Sequence, residues 1–87
     1  MRRLQFDAVA FQHYQEWIRN NPKIALRIGE LIIDILRDPF KGIGKPEALI
    51  YDLKGYWSRR INDEHRLVYK VTNEAIIIIS CKFHYND

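Results

Sequence analysis

Residues 55–71 read Gly-Tyr-Trp-Ser-Arg-Arg-Ile-Asn-Asp-Glu-His-Arg-Leu-Val-Tyr-Lys-Val. Tyr56 to Ile61 and Arg66 to Val71 are rich in aromatic and β-branched residues, and Asn62, Asp63 and Glu64 between them favour a turn. The pattern predicts a β-hairpin. Trp57 and Ile61 share one face of its first strand, and Leu67, Tyr69 and Val71 share one face of its second, all at odd positions. Odd must therefore pair with odd, which requires an odd-numbered loop, most simply residues 62–64 with a bulge. That register sets Arg60 opposite Arg66 on the other face, with their Cβ atoms roughly 5 Å apart. Like charges facing each other destabilise a sheet unless an anion or carboxylates lie nearby. A phosphate would serve, and so would a solvated face paired with Asp and Glu.

Outward from the hairpin, Thr72-Asn73-Glu74 leads into Ala75 to Phe83, whose four consecutive isoleucines signal a central strand buried on both faces. A two-residue turn at Asn73-Glu74 pairs odd with even and sets His84 on the face opposite Arg66. A longer turn, a bulge in the strand, or approach from beyond the strand end would each remove that conflict. Before the hairpin, residues 39–47 hold two glycines and two prolines and read as a loop entering a strand at about Ala48 to Leu53. Asn21 caps and Pro22 opens a helix whose apolar face is Ile24, Ile28, Leu31, Ile32 and Ile35, and Asp38-Pro39 ends it. An earlier helix over residues 8–20 follows Asp7 as N-cap and carries Ala10, Tyr14, Trp17 and Ile18 at helical spacing. Residues 2–6 could form a short strand. The order β, α, α, β, β, β, β predicts an α+β domain, with two N-terminal helices packed on a twisted, mainly antiparallel sheet of four to five strands.

With 87 residues, the chain suffices for one domain with a single core, and 47% hydrophobic content supports that core without disulfides. One cysteine, Cys81, forms no internal bridge and is read as core packing. No apolar run is long enough to span a bilayer and no leader-like segment opens the sequence, so a cytoplasmic, membrane-free setting is expected. His and Cys are too few at ligand spacing to argue for zinc, and no cofactor or metal is implied. His13 and His65 read as structural or solvent-exposed. The net charge of +3 is compatible with a polyanionic partner, and most second-half cations lie on or near the hairpin.

Gly-Ile-Gly-Lys-Pro-Glu from position 42, Leu53, Gly55, Trp57-Ser58-Arg59-Arg60-Ile61, Glu64-His65-Arg66-Leu67-Val68-Tyr69 and the terminal Cys81, His84 and Tyr85 resemble the YoeB (Txe) toxins of the RelE superfamily. The resemblance covers nearly the whole chain and implies a microbial-ribonuclease-like fold. It also implies a bacterial type II toxin that enters the ribosomal 30S A site and cleaves mRNA, silenced by a YefM-like antitoxin. Contact with DNA would be indirect, through the antitoxin, and a homodimer is left open. By the same resemblance Glu47 matches the catalytic glutamate, Arg66 the phosphate-binding arginine, and His84 and Tyr85 the terminal catalytic pair. Lys45, Arg59 and Arg60 match basic positions expected to bind RNA or the ribosome. Ile50 departs from the family's Pro-Glu-x-Leu-Lys run, and Asn86-Asp87 extends past the usual His-Tyr end.

These residue types suit RNA cleavage by the substrate's own 2'-hydroxyl. Such a reaction needs a base, donors for the charge growing on the phosphorane, and an acid for the leaving 5'-oxygen. Glu47, Arg66 and His84 would fill those roles, with Tyr85 stacking on the nucleotide. Two other functions share the same basic hairpin: a non-catalytic ribosome- or RNA-binding inhibitor of translation, and a structural partner of an antitoxin in a DNA-bound repressor complex.

Overall fold

The structure is a computed structural model and describes residues 1–83. Along the described chain run β1 (Arg3–Phe6), α1 (Ala8–Asn20), α2 (Pro22–Arg37), β2 (Glu47–Ala48), β3 (Tyr56–Arg60), β4 (Arg66–Val71) and β5 (Ala75–Ser80). The strands form one sheet in the order β1-β5-β4-β3-β2, parallel between β1 and β5 and antiparallel elsewhere. The expected α+β architecture is therefore present, with β5 interior and β4 at the centre.

Local chemistry sets the helix ends. Asn21, at φ −156°, breaks the helical path while its N–H still reaches Trp17 O at 2.8 Å, and Pro22 restarts it with φ already helical. Extended backbone at Asp38 stops α2. Asp7 occupies the N-cap of α1 without a side-chain cap bond; its main chain instead ties the helix to β5 through Asp7 N to Ile78 O at 2.9 Å.

The hairpin has the expected register. Trp57 pairs with Tyr69, Arg59 with Leu67 and Arg60 with Arg66, while Ile61 and Asn62 N–H groups close the loop on His65 O. Odd positions face the helices: Leu67 and Tyr69 join Ile76, Ile78 and Cys81 of the β5 segment, Ala10 of α1, and Ile28, Leu31, Ile32 and Ile35 of α2 in one buried cluster. Each fully buried large aliphatic side chain contributes about 1.5–3 kcal/mol, so this layer is the main source of cohesion.

Two expected strands are shorter than the sequence suggests. β2 is confined to Glu47 and Ala48, and residues 51–53 turn into a 3-10 helix instead of continuing it. β5 ends at Ser80, whose hydroxyl bonds Lys82 O at 3.0 Å beyond the ladder. The Asn73-Glu74 turn has two residues, closed by Thr72 N to Ala75 O at 2.9 Å. The odd-even register it imposes (Tyr69 with Ile78) shifts to Val68 with Ser80 at a β-bulge. A bulge, one of the three ways around the parity conflict, is therefore present, while His84 itself lies outside the described residues.

Candidate active site

Directly paired residues share a face of a sheet. Glu47 pairs with Ser58, Ser58 with Val68, and Arg60 with Arg66, so all five lie on the face turned away from the helical core. Strand spacing places the Cα of Glu47 about 8 Å from that of Arg60 and about 12 Å from that of Arg66. Val68 and Ser58 are buried between them, 1% and 9% exposed, while Glu47 is exposed and Arg60 and Arg66 are partly so. A buried floor thus carries a carboxylate at one side and two guanidiniums at the other.

Among the described residues, neither arginine has a strong anionic partner. Arg66 Nη1 donates to the main-chain oxygens of Asn62 at 2.7 Å and His65 at 3.1 Å. Among the described residues, Asp63 is the carboxylate within 4 Å of either, 3.9 Å from Arg60 Nη1, and its side chain is fully exposed. Such a contact offsets little of the repulsion. Two facing guanidiniums with so little to offset them are a place where a bound anion would relieve the repulsion.

Arg59 has a different fate. The expectation that it binds RNA is corrected by its position: it is 0% exposed, on the odd, core-facing side of β3. Its Nε donates to Tyr69 Oη (3.1 Å), Nη1 to Asp34 Oδ2 (2.5 Å) and Ile43 O (3.1 Å), and Nη2 to Asp38 O (2.7 Å) and Lys41 O (3.1 Å). Tyr69 Oη donates in turn to Pro39 O at 2.7 Å. Burial pushes the phenol's pKa up, which keeps that donor protonated. Hydrogen bonds from Arg37 and Arg59 and from the Ile43 N–H hold the Asp34 carboxyl at about 2. Hence the Gly-Ile-Gly motif: a Cβ on Gly42 would stand 1.9 Å from Asp34 Oδ2, and one on Gly44 would stand 2.7 Å from Leu31 Cδ2. Gly44 O accepts from Arg60 N at 2.6 Å, and the chain then passes through Lys45, exposed at φ 52°, to Glu47.

The end of the described chain is anchored beside Arg66. Phe83, at φ 70°, receives Arg66 N–H on its carbonyl at 2.9 Å and donates its own N–H to His65 Nδ1 at 2.8 Å. His65 is buried, its ring edge-on to Trp17 at 4.8 Å, and Trp17 Nε1 donates to Cys81 O at 2.8 Å. Cys81 N–H donates to His13 Nδ1 at 3.3 Å, and burial lowers the His13 pKa. Burial also pushes the Cys81 thiol up to about 12, in keeping with a packing role. Both histidines are structural. The expected site residues His84 and Tyr85 lie outside the described residues. Among the described residues, no three His, Cys, Asp or Glu side chains converge as a metal site would require.

Sequence reasoning missed the roles of Asp34 and Tyr69. The signal for Arg59 was present, since it has the same parity as Trp57 and Ile61; nothing at the level of spacing pointed to Asp34.

Comparison with known proteins agrees with this fold. Residues 6–85 match the family model described as YoeB-like toxin of bacterial type II toxin-antitoxin system. Toxin YoeB of Streptomyces coelicolor is 51% identical over 95% of this chain and 99% of its own. The YoeB/ParE toxin from Agrobacterium tumefaciens superposes with a TM-score of 0.93 at 41% identity, over 95% of this chain and 99% of that one. YoeB of Staphylococcus aureus matches as a dimer (TM-score 0.90, 47% identity, 97% of this chain and 98% of that one) and in a YoeB-YefM complex (0.88, 48%, 98% and 99%).

Proposed function

This chain belongs to the YoeB-like toxins of bacterial type II toxin-antitoxin systems, and from that premise we propose that it is a ribosome-dependent endoribonuclease that cuts mRNA in the A site. Glu47 removes the proton from the 2'-hydroxyl, and the 2'-oxygen attacks the adjacent phosphorus. Arg66 balances the charge on the phosphorane, and His84 protonates the departing 5'-oxygen. Tyr85 stacks on the nucleotide, while Lys45 and Arg60 hold neighbouring phosphates. The products are a 2',3'-cyclic phosphate and a 5'-hydroxyl, and none of these steps calls on a metal.

The observation that carries this reading is the sharing of one sheet face by exposed Glu47 and the facing pair Arg60 and Arg66. The anchored carbonyl of Phe83 beside Arg66 supports it, because the family's terminal catalytic pair follows directly. A YefM-like antitoxin is the proposed inhibitor, and self-association the proposed assembly, in line with the Staphylococcus aureus complex and dimer.

The test is to add the protein to mRNA-programmed ribosomes and analyse the RNA ends. Cyclic phosphate and 5'-hydroxyl ends are expected. Intact mRNA on stalled ribosomes would favour a non-catalytic blocker, and 5'-phosphate ends would favour attack by water instead.

A further inference from the structure

The ion pair of buried Arg59 with partly buried Asp34, under the 38–44 loop, takes no part in the steps above. A guanidinium has five N–H donors, and each of those of Arg59 meets an acceptor. Three of the acceptors are main-chain carbonyls of one irregular segment, at Asp38, Lys41 and Ile43, and Tyr69 adds a fourth anchor at Pro39 O. Burying an ion pair is often no more stabilising than burying apolar groups of the same volume. What a saturated fork adds is a single position for the backbone it binds. Glu47 needs such help, because β2 comprises Glu47 and Ala48 alone, at the sheet edge, and so short a ladder fixes little by itself.

We propose that Arg59, with Asp34 and Tyr69, is a positioning residue for Glu47: the buried fork holds the 38–44 loop so that the Glu47 carboxylate stands at a set distance from the phosphate on Arg66. What Glu47 does there rests on the nuclease reading; what Arg59 holds rests on the geometry alone.

The experiment combines single-turnover cleavage on mRNA-programmed ribosomes with amide hydrogen exchange on the free protein. Arg59→Lys keeps the charge and loses the fork. Tyr69→Phe keeps the buried ring and loses only the hydroxyl between Arg59 and Pro39, so it carries the test if Arg59→Lys does not fold. Tyr69→Phe should lower the maximal rate about tenfold or more, since small misplacements of reacting groups are costly, and leave the half-saturating ribosome concentration within about twofold. In a Glu47→Ala background it should lower the residual rate no further, because a residue acting through Glu47 has nothing left to position. Amides from Phe40 to Glu47 should exchange faster while the β3–β4 ladder stays protected. Equal losses in both backgrounds, or unchanged loop exchange, would overturn the proposal. A wild-type protein that leaves programmed mRNA intact would instead overturn the nuclease reading, and exchange alone would then decide whether Arg59 holds the loop.

Discussion

Arg59 and Arg60 are neighbours on β3 whose side chains point to opposite faces of the sheet, and nearly everything that separates them follows from that. Arg60 faces solvent and the proposed RNA, while Arg59 is sealed against Asp34 and Tyr69. Glu47 is exposed, so Glu47→Ala should reduce cleavage by orders of magnitude and shift unfolding by no more than about 0.5 kcal/mol, as urea titration would show. Arg66→Ala should abolish cleavage and also cost about 1 kcal/mol, because its Nη1 closes the hairpin loop on Asn62 and His65 carbonyls. The Asp34 carboxyl titrates at about 2 when folded against an ordinary 3.8. A lowered folded value contributes stability that is fully present above the ordinary value and is lost as pH falls toward 2. Asp34→Asn should therefore flatten the acid limb of stability measured by urea midpoint against pH. At this scale strand parity made Arg60 and Arg66 readable as a facing pair. Parity also assigned Arg59 to the core, but a buried guanidinium needs a carboxylate, and Asp34 is 25 positions away on a helix whose packing spacing alone does not reveal.

At the level of elements, the 38–44 loop is shaped by what it wraps. Gly42→Ala would drive a methyl group into the Asp34 carboxylate. Gly55→Ala, at φ 94°, meets nothing within 4 Å and bears only backbone strain. Thermal unfolding should show Gly42→Ala to be the more destabilising, with Gly55→Ala costing about 1 kcal/mol. The helices and the hairpin were readable because long periodic runs and turn residues agree with each other there. The extent of β2 was not: Leu49 N–H bonds Tyr56 O while Leu53 N–H turns back to Ile50 O, a choice made by tertiary packing. The β5 bulge was not readable either, because it arises from how β5 meets the neighbouring strand.

Across the whole molecule, two helices cover one sheet face, and the other carries Glu47, Arg60 and Arg66 with Lys45 on the adjoining loop. Among the described residues, no helix is long and apolar enough to cross a membrane. With a net charge of +3, the proposed engagement of the ribosome should weaken as salt rises. Lys45→Ala should raise the half-saturating ribosome concentration without changing the maximal rate, and the difference from wild type should shrink at high ionic strength. The central claim is that this face turns the substrate's own 2'-hydroxyl into the nucleophile. It is tested most directly with an mRNA carrying one 2'-deoxy nucleotide immediately 5' of the scissile phosphate in the A site. The predicted result is an mRNA that still programs the ribosome and still recruits the protein but stays uncut; cleavage at that bond at the rate of the all-ribose message would contradict the account.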